Sequence, residues 1–325
     1  MVLTCSFALA ALATAFSGPD RGALPVRAAE SASPCAMPAS QLAAATPVAS
    51  GAATPKATGA ASPAATSGKA MATPVGSAEN GTSDLAEELT SVSRALAACL
   101  SRGDAATVAL LVTDDWLGEF FGGVDMTREQ YISLSPGLGE MPIEIVSVSE
   151  ARPEGNGTAA AVVEYTTGRQ LSRSVWSYAT APLAERKTGE TIWRVDGESP
   201  LSVEPPKGAT SIDATLSEFK IELSADTVKG GSVAISGKNV GAIDHEMLVL
   251  RLAPDYTVDE LLRAAGPGLP PEAEWIAQQT VPAGKSEELV MTGLKPGAYW
   301  IICMFPMPDG TPHAAMGQVT SLTVE

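Results

Sequence analysis

The residue types best suited to chemistry lie in the last third of the chain. They are the only two histidines of the sequence, His245 and His313, together with Cys303 and Met316. One thiolate, two imidazoles and a weak thioether are the ligand set of a type 1 (blue) copper site, in which copper passes between Cu(II) and Cu(I). We therefore expect one copper ion in this part of the protein. Taken singly, Cys303 is also consistent with a buried core thiol and His313 with a loop residue.

Short strands must position these residues. Pro205-Pro206-Lys207-Gly208 marks a boundary, and after it turn signals separate short apolar runs, which predicts an all-β sandwich over residues 210–325. The predicted strands are 213–223, 232–239, 245–252, 287–291, 298–304 and 317–324. Residues 257–264 are predicted to form a helical insertion. Because side chains alternate along a strand, Cys303 shares the buried face with Tyr299 and Ile301. Glu246, beside His245, is expected to be an exposed acid, and the alternative is that it supports the neighbouring ligand.

The order His, Cys, His, Met across this domain resembles the cupredoxin family, as do the phrases Asn239–His245 and Pro296–Cys303. The resemblance implies a Greek-key β-sandwich, with His245, Cys303 and His313 as equatorial copper ligands. It implies Met316 as the axial ligand and leaves Gln318 as the alternative. The sequence departs from the family in the nine residues, 304–312, between Cys303 and His313, because blue-copper proteins usually have two to four there.

Residues 84–205 are predicted to form an α+β domain. Apolar spacing predicts helices over 85–100, 105–112 and 128–134, followed by strands over 143–148, 159–165, 171–178 and 191–195. This order, with the phrase Leu96–Asp104 before a helix, resembles the cone-shaped SnoaL-like (nuclear transport factor-like) fold. The domain has no histidine, and adjacent Asp114 and Asp115 are expected to face water, so we expect no catalysis here. Its aromatic residues are expected to pack in the core rather than line a pocket: Trp116, Phe120, Phe121, Tyr131, Tyr165, Trp176, Tyr178 and Trp193.

The N-terminal part of the chain indicates export. An apolar run from Val2 to Phe16 predicts a signal peptide over residues 1–29, or a buried helix as the alternative. Residues 30–83 are rich in Ala, Thr, Pro and Ser and are predicted to be a disordered linker. In an oxidising compartment Cys35 and Cys99 can form a disulfide, and the sequence leaves open the alternative that Cys99 is a small buried helix residue. The protein is therefore expected outside the cell or at its surface, with membrane attachment only through an uncleaved N-terminal segment.

The net charge of the chain limits the classes of partner that it can bind. A formal net charge of −16 excludes nucleic acid, since phosphate binding needs basic patches. We expect an exported one-electron carrier with a partner protein, and not an enzyme. The alternative is a copper-storage, delivery or binding module without redox function, in which the α+β domain binds a ligand or partner. An enzyme in the α+β domain is the third hypothesis, and the oligomeric state is not indicated.

Overall fold

The computed structural model describes residues 78–120, 127–134, 142–182, 191–264 and 269–325. The predicted signal peptide, almost all of the predicted linker, Cys35 and Phe121 lie outside these residues. The structure does not describe the side chain of Phe120. Within the described part of the chain, no helix is long and apolar enough to cross a membrane.

Helices open the N-terminal unit, which we define as residues 78–200. They are α1 (Ala78–Leu100), α2 (Ala105–Leu111), α3 (Asp114–Phe120) and α4 (Arg128–Leu134). Helix α1 begins inside the predicted linker and buries an apolar stripe that includes Leu89, Val92 and Leu96. Gly103 adopts a φ of 66°, and Asp104 caps α2 by accepting a hydrogen bond from the backbone of Thr107 at 3.1 Å. The glycine and the capping aspartate that predicted the break between α1 and α2 therefore lie at that break in the structure.

An antiparallel sheet completes the N-terminal unit: β1 (Ile143–Gly155), β2 (Thr158–Thr167), β3 (Gln170–Pro182) and β4 (Thr191–Pro200). Each strand is longer than the sequence predicted. Tyr178 on β3 is fully buried against α1, where its hydroxyl lies 2.8 Å from Ser93 Oγ. Helices and sheet thus share one core.

The C-terminal unit, residues 210–325, is a two-sheet sandwich. Its strands are β5 (Thr210–Ser217), β6 (Lys220–Leu223), β7 (Thr227–Val228), β8 (Gly231–Asn239), β9 (His245–Leu252), β10 (Ala273–Val281), β11 (Ser286–Leu294), β12 (Gly297–Ile302) and β13 (Val319–Val324). One sheet has the order β11-β8-β5-β6 and the other β10-β9-β12-β13-β7. Helix α5 (Val258–Arg263) is the predicted insertion, and Thr257 and Glu260 form a capping box at its start.

Several features differ from the sequence prediction, among them helix α3 and strand β7, which were not predicted. The single strand expected over 213–223 is a hairpin, β5 and β6, because the chain turns at Phe219, whose φ is 62°. Strand β10 was not predicted, since a bulge between Trp275 and Ala277 breaks its alternation. The sheet that contains β11 also continues past the predicted domain boundary into the N-terminal unit, because β3 pairs with β11 at Gln170 and Met291.

Candidate metal centre

Three side chains that are far apart in sequence converge at one end of the sandwich. The Nδ1 atoms of His245 and His313 are 3.3 Å apart, and Cys303 Sγ lies 3.4 Å from His313 Nδ1. All three are buried, and their ligand atoms lie within 4.8 Å of one another. Among the described residues, these three form the group of potential ligand side chains that could hold a metal ion.

Strand pairing brings the first two ligands together. His245 begins β9, and Cys303 follows the last residue of β12, which pairs with β9 at Ile302 and Leu248. Asn239 shapes the loop before His245: it is 1% exposed, and its Nδ2 donates to the carbonyls of Ile243 and Val281 at 2.8 and 2.9 Å. The two ligands are therefore fixed by backbone structure.

A hairpin returns the chain to Cys303 and accounts for the nine intervening residues. The backbone N–H of Met307 donates to Thr311 O at 2.8 Å, and that of His313 donates to Phe305 O at 2.9 Å. Ala314 N–H then donates to Cys303 O at 2.7 Å. Because these bonds form a short antiparallel ladder, a longer loop still places His313 beside Cys303.

The spacing of the ligand atoms fits a metal ion. At metal–nitrogen and metal–sulfur distances of about 2.0 and 2.3 Å, the ligand atoms of a trigonal site lie about 3.5 to 3.8 Å apart. The separations of 3.3 and 3.4 Å are slightly smaller, and the ligand atoms of His245 and Cys303 lie within 4.8 Å of each other. The three atoms are therefore close enough for one metal ion to contact all of them after side-chain adjustment. The donor chemistry, two imidazoles and a thiol, suits a soft or borderline metal such as copper.

Burial governs the protonation of the metal-free site. Desolvation raises the pKa of the Cys303 thiol to about 12, although backbone N–H groups of Glu246 and Phe305 oppose the shift. Desolvation, followed by repulsion from His313, lowers the pKa of His245. The metal-free pocket thus favours a neutral thiol and a neutral imidazole. A metal ion would have to displace the thiol proton.

The two candidate axial ligands lie in different environments. Met316 ends a 3-10 turn (His313–Met316), and it is 51% exposed. Gln318 is fully buried and donates from Nε2 to Ser217 O at 2.9 Å. Its side chain also lies close enough to His245 to raise the pKa of that imidazole, although the geometry is not that of a hydrogen bond. Its Oε1 is a buried acceptor without a hydrogen-bond partner, and a metal would supply one.

Phe219 covers His313, a contact that sequence reasoning missed. The two rings meet edge to face, with centroids 5.4 Å apart and planes 76° apart. Phe219 has a positive φ, which is rare for an aromatic residue. Gln318 supports this turn through its bond to Ser217 O. Nothing in the local sequence signals such a turn, since glycine or asparagine is usual there.

Glu246 was wrongly predicted to be exposed. It is 3% exposed, and its Oε1 accepts a hydrogen bond from the backbone N–H of Met304 at 2.8 Å. Its Oε2 accepts from Gln278 Nε2 at 2.5 Å, and its own backbone N–H points to Cys303 Sγ at 3.4 Å. Desolvation raises the pKa of this carboxyl, and the bonds from Met304 and Gln278 oppose the shift. Glu246 therefore links β9 to the residue that follows Cys303.

The N-terminal candidates do not form a comparable site. Asp114 has a 77% exposed side chain and pairs with Arg128 at 3.0 Å. The aromatic residues with described side chains pack in or against the core: Trp116, Tyr131, Tyr165, Trp176, Tyr178 and Trp193. Cys99 is disulfide-bonded, while its predicted partner Cys35 lies outside the described residues.

No family model and no curated protein matches this chain. Among solved structures, it is similar to a dithionite-reduced auracyanin from the photosynthetic bacterium Roseiflexus castenholzii. That match has 26% identity, covers 36% of this chain and 99% of the auracyanin, and has a TM-score of 0.27. The sandwich with its His–Cys–His group is consistent with a cupredoxin-like fold. No comparison shows the SnoaL-like resemblance of the N-terminal unit.

The chain is also similar to two enzymes. A multicopper oxidase from Campylobacter jejuni has 10% identity, with 51% of this chain and 43% of that one covered and a TM-score of 0.24. A Cu-containing nitrite reductase from Thermus scotoductus SA-01 has 13% identity, with 42% and 36% covered and a TM-score of 0.23. The chain thus spans less than half of either enzyme.

The expectation that this protein is not an enzyme is wrong on this comparison, because the similar structures include these two enzymes. A metal ion held by four protein ligands has no open position for a substrate. This holds for that one ion only and says nothing about chemistry elsewhere in a protein.

Proposed function

We propose that the C-terminal unit binds one copper ion through His245, Cys303 and His313 and uses it for one-electron transfer. The observation that carries the proposal is the convergence of these three buried ligand atoms within 4.8 Å. Bound copper would supply the Cu(II)/Cu(I) couple. The chain's own residues hold the ligands in place and exclude water.

In this proposal Gln318 would be the fourth residue to hold the copper, and Met316 is the alternative. Burial supports Gln318, because its Oε1 has no hydrogen-bond partner, whereas half of the Met316 side chain is exposed. An amide oxygen stabilises Cu(II) better than a thioether does, so this choice lowers the reduction potential.

A rigid pocket supports electron transfer over storage. His245 lies at the start of β9, Cys303 follows β12, and His313 lies where the hairpin ends. Because the backbone fixes all three, they are held in nearly the same place whatever the charge of the metal. A copper ion held this way changes its oxidation state with little rearrangement of the protein.

The partner and the location belong to the same proposal. The C-terminal unit has fifteen acidic and seven basic residues, a balance that would steer a basic redox partner toward it. The apolar run of residues 2–16 supports export. A role of the N-terminal unit in binding a ligand or partner belongs to the alternative, a binding module without redox function.

Stoichiometric redox cycling of the copper-loaded full chain tests the proposal. Ascorbate reduces the protein and ferricyanide reoxidises it, while absorption follows the copper. We expect one electron per protein over repeated cycles with the copper retained. Zinc-loaded protein is the matched control, because zinc has no redox chemistry. Copper that leaves on reduction, or that does not cycle, contradicts electron transfer and favours storage or delivery.

A further inference from the structure

The turn between β2 and β3 joins the N-terminal unit to both sheets of the sandwich. Arg169 N–H donates to Ile276 O at 3.0 Å, on the free edge of β10, and Arg169 O accepts from Thr292 N–H of β11 at 2.8 Å. Gly168 packs against the Trp275 ring, where a Cβ atom would lie 2.7 Å from Cζ3. The turn is thus a close-fitting junction that pairs an otherwise open strand edge.

The next residue of this turn, Gln170, reaches the strand that supports the metal centre. Its Oε1 accepts a hydrogen bond from the backbone N–H of Gln278 at 2.9 Å. The Gln278 side chain in turn donates from Nε2 to Glu246 Oε2 at 2.5 Å. Gln278 and Glu246 are diagonal neighbours on β10 and β9, because Glu246 pairs with Thr280.

The last bond of the series reaches the ligand loop. Glu246 Oε1 accepts from the backbone N–H of Met304, the residue directly after Cys303. The Glu246 backbone N–H also points to the Cys303 sulfur at 3.4 Å. One continuous series of hydrogen bonds therefore runs from the N-terminal unit through Gln278 and Glu246 to the thiol ligand.

We propose that Gln170 is a positioning residue, through which the N-terminal unit holds the Cys303 loop in its metal-binding conformation. This assigns the N-terminal unit a role at the metal centre, and the effect on copper rests on the proposed function. Groups bonded directly to metal ligands typically change metal affinity by about 10- to 100-fold when they are removed. Gln170 acts through Gln278 and Glu246, so its removal should have a smaller effect. The mechanical link itself exists in the metal-free protein.

Amide hydrogen exchange of the metal-free full chain, followed by NMR, tests the link without copper. In Gln170→Ala we expect several-fold faster exchange at the Gln278 and Met304 amides. In Gln170→Glu both amides should stay protected, because a carboxylate oxygen replaces the acceptor. Gln278→Leu should speed exchange at the Met304 amide, because the hydrogen bond from the residue 278 side chain to Glu246 is lost. The backbone amide at position 278 should stay protected, because its bond to Gln170 remains.

Gln279→Ala is the matched control. Gln279 lies on the same strand, but its side chain donates to Thr280 O at 3.1 Å and takes no part in the series. It should leave the Met304 amide unchanged. Amides between β8 and β11 report on general loosening and should keep the wild-type rates in every variant.

We expect the lowest copper affinity in the variants whose Met304 amide exchanges fastest. An unchanged Met304 amide in both Gln170→Ala and Gln278→Leu would overturn the inference. Wild-type protein that binds no copper, with the exchange pattern as expected, would refute the proposed function and leave the link standing.

Discussion

The ring of Phe219 lies edge-on against His313, with centroids 5.4 Å apart. This contact closes the metal centre on the side of the β5–β6 turn and helps to leave His313 only 3% exposed. A turn residue with positive φ thus performs a shielding role that a glycine cannot.

Removing this ring should open the site to small molecules. In Phe219→Ala we expect several-fold faster loss of copper to a chelator, because water and chelator gain access to His313. Phe219→Leu, which keeps a bulky apolar side chain, should lose copper at close to the wild-type rate. Stopped-flow absorbance measures both rates. Equal rates in Ala and wild-type protein would show that the ring does not limit access.

The axial ligand is distinguished by reduction potential. Gln318→Met should raise the potential, since a thioether stabilises Cu(II) less than an amide oxygen does. Met316→Ala should leave it nearly unchanged, because that side chain is half exposed. Potentiometric titration gives both values. The opposite pattern would make Met316 the axial ligand.

The Ser93–Tyr178 contact predicts an asymmetry in stability. Tyr178→Phe should cost about 1 kcal/mol, because Ser93 keeps its second hydrogen bond, to Leu89 O at 2.7 Å. Ser93→Ala should cost more, about 1 to 3 kcal/mol, since it leaves the fully buried Tyr178 hydroxyl without that partner. Urea unfolding of the full chain compares the two. A larger loss in Tyr178→Phe would contradict this assignment.

The junction between the units predicts a steric effect at Gly168. Gly168→Ala places a methyl group 2.7 Å from the Trp275 ring, and we expect a loss of about 1 to 3 kcal/mol beyond the backbone strain. Gly284→Ala is the control, because its φ of 71° resembles the 60° of Gly168 and its methyl group would meet nothing within 4 Å. Denaturant unfolding measures the difference. Equal losses would mean that the junction is loosely packed.

The sequence was sufficient to predict the sandwich, and three of the candidate ligands that it named, His245, Cys303 and His313, lie together in the structure. Residue type identified the ligand candidates, because thiolate and imidazole are ligands that suit copper. Alternation placed Cys303 on the buried face, where the structure has it. Strand β10 escaped prediction because its bulge removed the alternation.

Features that depend on strand register and long-range contact could not be predicted. Glutamate is usually a surface residue. Its burial at position 246 depends on hydrogen bonds from Gln278, its diagonal neighbour, and from the Met304 backbone. The approach of Gln170 to β10 depends on how two units pack together. The hairpin between Cys303 and His313 does contain a turn signature, Pro308-Asp309-Gly310, and Gly310 N–H donates to Met307 O at 2.8 Å. That signature marks the turn, but it does not indicate that the chain returns to Cys303.

A copper titration of the full chain, followed by visible absorption and EPR, tests the central claim most directly. We predict an intense thiolate-to-copper band that saturates at about one equivalent and is absent in Cys303→Ser, because the band requires the copper–sulfur bond. A colourless protein, or a band that persists in Cys303→Ser, would contradict the assignment of His245, Cys303 and His313 as a copper site.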